Sequence, residues 1–157
     1  EGVWGLSCRV GSLTAIGRIL QIKQRDPTNG LIPFVTECDD LAHWYACPIL
    51  KEADEESGRP STWIIPVNLQ CPKLLTGGRQ SLAVRRVTMP ALVRLIALTG
   101  PLVSTSANRS GRAACLTRWQ VMNQLAHLVD HVARGRTQGY LKPSTIRDMQ
   151  TGTIIRD

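Results

Sequence analysis

Gly100-Pro101 separates two kinds of backbone that cannot be merged into one element. Ahead of it, Pro90 stands where a helix starts, and Leu92, Val93, Leu95, Ile96 and Leu98 follow at helical spacing. Proline lacks the N–H a helix needs and drives the preceding residue out of the α region, so that helix must stop here. Behind it, Leu102–Thr105 is a short apolar run of strand length that leads straight into Ser104, Ser106 and Asn108.

The same alternation is predicted along the rest of the chain. Val3–Cys8 reads as a strand broken by Gly5. Ser12 caps a helix carrying Leu13, Ile16, Ile19 and Leu20, which ends near Arg25 because of Pro27. Asp26 to Gly30 is a turn cluster, and Leu31–Val35 is a continuous apolar strand. An acidic, helical stretch is expected over Glu37–Glu56, then a loop at Ser57-Gly58-Arg59-Pro60. Strands follow at Thr62–Val67 and Ser81–Val87, and Thr117 caps a helix through about Leu125. Ser144–Asp148 and Thr153–Arg156 flank Thr151-Gly152 as a hairpin. Strands alternating with helices, plus an antiparallel pair, give an α/β (α+β) fold: a single-domain twisted mixed sheet with flanking helices. With 157 residues, 43% of them hydrophobic, the chain has material for an ordinary core.

No apolar run reaches the ~20 residues of a membrane-spanning helix. Glu1 opens no signal-peptide pattern. The five cysteines (Cys8, Cys38, Cys47, Cys71 and Cys115) form no CxxC pair, so reduced thiols and a cytoplasmic location without a membrane partner are expected. His127 and His131 have the i, i+4 spacing of a metal-binding pair, but without a following Glu they read as surface or core histidines.

Nineteen Lys and Arg against twelve Asp and Glu give a net charge of +7, unevenly placed. No acid lies between Ser57 and Val129, where nine basic residues fall: Arg59, Lys73, Arg79, Arg85, Arg86, Arg94, Arg109, Arg112 and Arg118. A solvated basic face and an anionic partner, polyphosphate or nucleic acid, both fit this pattern. The 4% aromatic content argues against a stacking platform for single strands.

Two constellations have chemistry in them. In Lys23-Gln24-Arg25 the two cations share a face only if the chain is extended, as Pro27 suggests; they then converge on one anion. A solvated helix C-terminus is the plainer alternative. Ser104, Ser106 and Asn108, at period two, line one face where a strand leaves the sheet, which is where open α/β sheets bind ligands; a self-bonded Ser/Asn turn is the alternative. GxxxxGK[ST], GxGxxG after a strand and a hydrolase elbow are all absent, so the site is expected to work without a P-loop or a nucleophile.

Together, Lys23-x-Arg25 and Ser106-x-Asn108, the latter inside Pro101-Leu-Val-Ser104-Thr-Ser106-Ala-Asn108-x-Ser110-Gly111, resemble the YrdC-like threonylcarbamoyl-AMP synthases. Glu1-x-Val3-x-Gly5-Leu6, Lys23-Gln-Arg-x-Pro27 with Gly30-Leu31-Ile32, Ser81-Leu-Ala-Val-Arg85 and Pro143-Ser144-x-Ile146-Arg147-Asp148 extend the similarity in order along the chain, in the bacterial short form. The resemblance implies the YrdC-like (DHBP synthase-like) fold with a large concave basic cavity. It implies an enzyme forming threonylcarbamoyl-AMP and pyrophosphate from L-threonine, bicarbonate and ATP. Threonylcarbamoyl-transfer proteins then carry the group to an adenosine of tRNA.

By position, the resemblance assigns Lys23, Arg25, Thr62, Ser106, Asn108 and Ser144 to ATP, with Mg2+ bound through ATP rather than by protein side chains. Ser104 falls on the threonine side, Arg85 lines the cavity, and Asn29 replaces a family Lys or His on the amino-acid side. The family's Tyr-Pro-Thr and preceding helix would precede Glu1, so residues 1–157 are expected to fold but to turn over slowly or not at all. Its Trp-Pro-Gly-Pro is replaced by Ser57-Gly58-Arg59-Pro60. Two rivals are a non-catalytic module of this fold binding double-stranded RNA or tRNA, and a carbamoyl-transferring domain like that of hydrogenase maturation factors.

Overall fold

A computed structural model describes residues 2–46, 61–139 and 144–156. Seven strands, β1 (Gly5–Arg9), β2 (Ile32–Val35), β3 (Ser61–Pro66), β4 (Ser81–Arg86), β5 (Leu102–Ser106), β6 (Thr145–Asp148) and β7 (Ile154–Arg156), form one sheet in the order β1-β5-β2-β4-β3-β6-β7. β2 with β4 and β3 with β6 are parallel; the other four pairings are antiparallel. The helices are α1 (Leu13–Lys23), α2 (Lys73–Thr76), α3 (Pro90–Thr99) and α4 (Arg118–Leu125). This is the expected mixed sheet with flanking helices.

The caps act as the residues suggest. Ser12 accepts from the Ala15 amide at the start of α1, and Thr117 with Gln120 forms a capping box on α4. Pro90 opens α3 and Gly100 closes it at φ +78°. The helix expected over Glu37–Glu56 is a 3-10 stretch, Cys38–Trp44, bent at Leu41; the remainder from residue 47, and the Ser57–Pro60 loop, lie outside the described residues. The short helix α2 is an element that periodicity misses, since four residues give no period to read. Among the described residues no helix is long and apolar enough to cross a membrane.

Strand alternation sorts the sheet into two unlike faces. Leu6, Val103, Pro33, Val35, Leu82, Val84, Trp63 and Ile65 are buried on one face. Ile16 and Leu20 of α1 and Leu75 of α2 join most of these in the main core. Ile19 of α1 meets Leu6, Val121 and Leu125 in a second cluster. The other face carries Ser7, Ser104, Ser106, Ile32, Phe34, Arg85 and Thr62, by the register Ser7↔Ser104↔Ile32 and Phe34↔Arg85↔Thr62. Only one end of it is packed by α3, through a third cluster of Val87, Ile96 and Leu102 against Phe34 and Leu92.

One close approach sets the turn after α1. Leu31 N–H donates to the Leu75 carbonyl (2.9 Å), and Gly77, at φ +66°, lies so near the Thr28 carbonyl that a Cβ would overlap it. Gly77→Ala meets a backbone clash on top of the left-handed strain, and is expected to cost roughly 2 kcal/mol or more in urea unfolding. Gly17→Ala, in open space within α1, is expected instead to stabilise by about 0.5–1 kcal/mol.

Candidate functional site

Helix α1 ends at Lys23, two residues before the expected stop near Arg25, because Gln24 turns left-handed (φ 51°, ψ 44°); Asp26, ahead of Pro27, is extended as expected. The cations therefore meet by a different route. Lys23 is 2% exposed, and its ammonium donates to the Asn108 carbonyl (2.9 Å), Asn108 Oδ1 (2.8 Å) and the Ser106 carbonyl. Ser110 N–H returns a bond to the Lys23 carbonyl at 2.7 Å. The end of α1 and the exit of β5 are thus one hydrogen-bonded unit.

The period-two expectation holds for Ser104 and Ser106 and fails at Asn108. The strand stops at Ser106, and Asn108 N–H turns back onto the Ser106 carbonyl (3.0 Å). That turn brings Asn108 Oδ1 within 2.7 Å of Ser106 Oγ as well as onto Lys23. Ser104 lies further along the same face, 3.3 Å from Ser7 Oγ. Gly5 leaves that region open, since a Cβ there would lie 2.9 Å from Ser104 Oγ.

Arg25 sits beside Lys23, and its Nη2 donates to the Gly30 carbonyl (3.1 Å) and, more weakly, to that of Asn29 (3.4 Å). Asn29 thus enters through its backbone, while its residue is exposed. Arg25 Nε is buried with no partner among the described residues. The neighbouring acid does not compensate: Asp26 Oδ1 is taken by the amide (2.8 Å) and hydroxyl (2.7 Å) of Thr28, bonds that hold its pKa down. Burial, reinforced by the Arg25 charge, lowers the Lys23 pKa to about 8.

Two strands further on, Thr62 Oγ1 and Ser144 Oγ are buried and 2.9 Å apart. Arg85 Nε donates to Thr62 Oγ1 at 3.4 Å, and its guanidinium lies over the Phe34 ring, 5.4 Å from the centroid. The predicted residues therefore gather into two groups, Lys23, Arg25, Ser106 and Asn108 at the β5 exit and Thr62, Arg85 and Ser144 across the sheet. Three strand spacings, roughly 14 Å, separate β5 from β3.

Ser7 and Phe34 were not singled out by the sequence reading. Their signal was the alternation of β1 and β2 opposite already chosen residues, legible only once strand order is known. Pro143 lies outside the described residues. His127 and His131 are both exposed, and the segment after α4 is a 3-10 turn, Ala126–Leu128, followed by irregular chain. No group of three His, Cys, Asp or Glu side chains that would hold a metal occurs among the described residues.

A depressed lysine pKa has a defined sign in stability. The folded chain releases the Lys23 proton near pH 8, whereas an unfolded lysine keeps it to about 10.4. The cost of burying the charge is present in full below pH 8 and fades as pH rises from there. Between pH 7.5 and pH 9, urea unfolding is expected to shift by about 1 kcal/mol in favour of the wild type relative to Lys23→Met. Burial raises the thiols of Cys8 and Cys71 to about 11, so these groups lower stability from about pH 8.5, where an unfolded thiol ionises, an opposite effect common to both proteins.

The family model described as "Telomere recombination" (Sua5/YciO/YrdC) matches residues 1–157. A threonylcarbamoyl-AMP synthase of Chromohalobacter salexigens is 39% identical over 160 residues, covering 99% of this chain and 86% of that protein. The P. abyssi Sua5 structure complexed with L-threonine superposes with a TM-score of 0.85 at 25% identity; it matches 98% of this chain, which spans 46% of the archaeal one. Full-length HypF in its phosphate- and nucleotide-bound form shares the fold at 15% identity and a TM-score of 0.81, with 25% of its chain covered. A family model matching residues 1–157 and a relative 39% identical over 99% of the chain make this chain a member of the Sua5/YciO/YrdC family.

Proposed function

We propose that this chain is an L-threonylcarbamoyladenylate synthase, a nucleotidyltransferase that joins L-threonine, bicarbonate and ATP into threonylcarbamoyl-AMP and pyrophosphate for tRNA modification in the cytoplasm. The observation that carries this reading is the pair Lys23 and Arg25. They are two adjacent cations without a carboxylate partner among the described residues, one with an unpartnered buried N–H, beside the hydroxyl and amide groups of Ser106 and Asn108. An isolated buried charge is expensive, and the arrangement is what a site for a polyanion requires before its ligand arrives.

The chemistry needs placement and charge more than a reactive side chain. The threonine nitrogen bonds to the bicarbonate carbon and water leaves, giving a carbamate. A carbamate oxygen then attacks the α-phosphorus, and the bond from that phosphorus to the β-phosphate oxygen breaks. Cations fixed in advance stabilise the charge growing on pyrophosphate. Lys23 and Arg25 take this part. A phosphate oxygen replacing neutral Asn108 Oδ1 on the Lys23 ammonium pairs the charge with an anion in place of a dipole, which adds Coulombic attraction.

Ser106 and Asn108 hold the nucleotide, with Thr62 and Ser144 at its far end. Ser104 and Asn29 lie on the threonine side, and Arg85 lines a concave basic cavity above the sheet. The described residues include no carboxylate or imidazole set for Mg2+, so no residue is assigned to it; Mg2+ belongs to the ATP substrate. Threonylcarbamoyl-transfer proteins take the product on to tRNA.

The reading is tested by pyrophosphate release with ATP, bicarbonate and L-threonine, alone and with a Tyr-Pro-Thr-bearing segment added ahead of Glu1. Release is expected only when all three substrates are present. Arg25→Ala is expected to raise the KM for ATP at least about tenfold, the equivalent of one charge-assisted hydrogen bond. No release from either form, together with no ATP binding by calorimetry, overturns the assignment.

A further inference from the structure

The ligand-facing side of the sheet contains one contact that none of these assignments uses. Phe34, the only phenylalanine of the chain, lies on β2 directly beside Arg85 of β4. Its ring lies beneath the guanidinium, with Arg85 Cζ 5.4 Å from the centroid. The ring is itself wedged against Leu102 and Ile96 at the end of the sheet that α3 covers. From the other side, Thr62 Oγ1 accepts from Arg85 Nε, and Thr62 is completely buried and bonded to Ser144. Three neighbouring strands thus hold one arginine between a fixed ring and a fixed hydroxyl.

We propose that Phe34 is a positioning residue, whose ring holds the Arg85 guanidinium in the orientation that receives an anionic group of a substrate lying on this face. The idea rests on the reading of Arg85 as part of the synthase cavity. An arginine side chain has several freely rotating bonds, and ordering it at the moment of binding costs affinity. A ring beneath the guanidinium bears that cost in the folded state, through the attraction between a cation and the face of a π-system. Leucine at position 34 would keep the apolar packing against Leu102 and Ile96 but lose the ring face, whereas tyrosine would keep both.

Two measurements test this, one independent of turnover. In the wild type, NMR should show the Arg85 side-chain protons shifted upfield by the ring current; Phe34→Tyr should preserve the shift and Phe34→Leu abolish it. In pyrophosphate-release assays, Phe34→Leu should raise the KM for one substrate about 2- to 5-fold, leaving kcat and the other two KM values near wild type. The anion is a phosphate of ATP, the carboxylate of threonine or bicarbonate, and the affected KM identifies which. Phe34→Tyr should match the wild type, and in an Arg85→Met background, which has no cation to orient, Phe34→Leu should add nothing further. If the wild type releases no pyrophosphate, affinities for ATP and L-threonine by calorimetry replace the KM values.

The ring-current shift with a selective affinity loss, but no release even with the Tyr-Pro-Thr-bearing segment added ahead of Glu1, supports Phe34 and counts against the synthase reading. Release with no ring-current shift overturns the role of Phe34 alone. So does a Phe34→Leu protein that is merely less stable, with every KM or affinity unchanged, or one whose loss is the same in the Arg85→Met background.

Discussion

One buried ammonium ion joins the two segments on which the candidate site depends. Lys23 closes α1, and its charge lies almost wholly out of water on oxygens of Ser106 and Asn108, where β5 leaves the sheet. Burying a lysine with neutral partners alone carries a desolvation penalty that a core of ordinary design avoids. The fold tolerates it because the same contacts terminate a helix, turn the chain after a strand and place Arg25 alongside. A stability cost concentrated at a pair of cations is the usual sign of a surface shaped for an anion.

What could be read in advance depended on the range of the interactions involved. Ser12, Thr117, Pro90 and Gly100 announce their elements because capping and stopping are decided within four residues. The pairing of Lys23-x-Arg25 with Ser106-x-Asn108 was legible through family resemblance, although the physical reason offered for the first was mistaken. Pro27 holds Asp26 extended, but the chain has already turned at a left-handed Gln24, a conformation uncommon outside glycine that no local sequence signal announces. The period-two rule likewise ran one residue too far, because nothing in a Ser-Ala-Asn sequence states where strand pairing ends. Phe34 was invisible for another reason: its importance lies in which strand stands next to β2, and that is a property of topology.

The two sheet faces explain how so few residues build the site. On one face, alternate positions of five neighbouring strands are buried against α1, α2 and the segment around Trp44. The intervening positions of the same strands carry the serines, Thr62 and Arg85. Each strand therefore serves stability and ligand contact at once. The short α3 marks the border, since its cluster covers the apolar end of the second face.

The strand order has a consequence for how the molecule is made. β1 and β2 are close in the chain yet never touch, because β5 lies between them and arrives about seventy residues after β2. A growing chain holds both edges unpaired until residue 106 is available, and pairings that distant in sequence are slow to form. The strand that finally bridges the two edges also brings Ser104 and Ser106, with Asn108 directly behind it. Lys23 therefore has no Ser106 or Asn108 to bond until that strand is made: joining the two edges and assembling this half of the site are the same event.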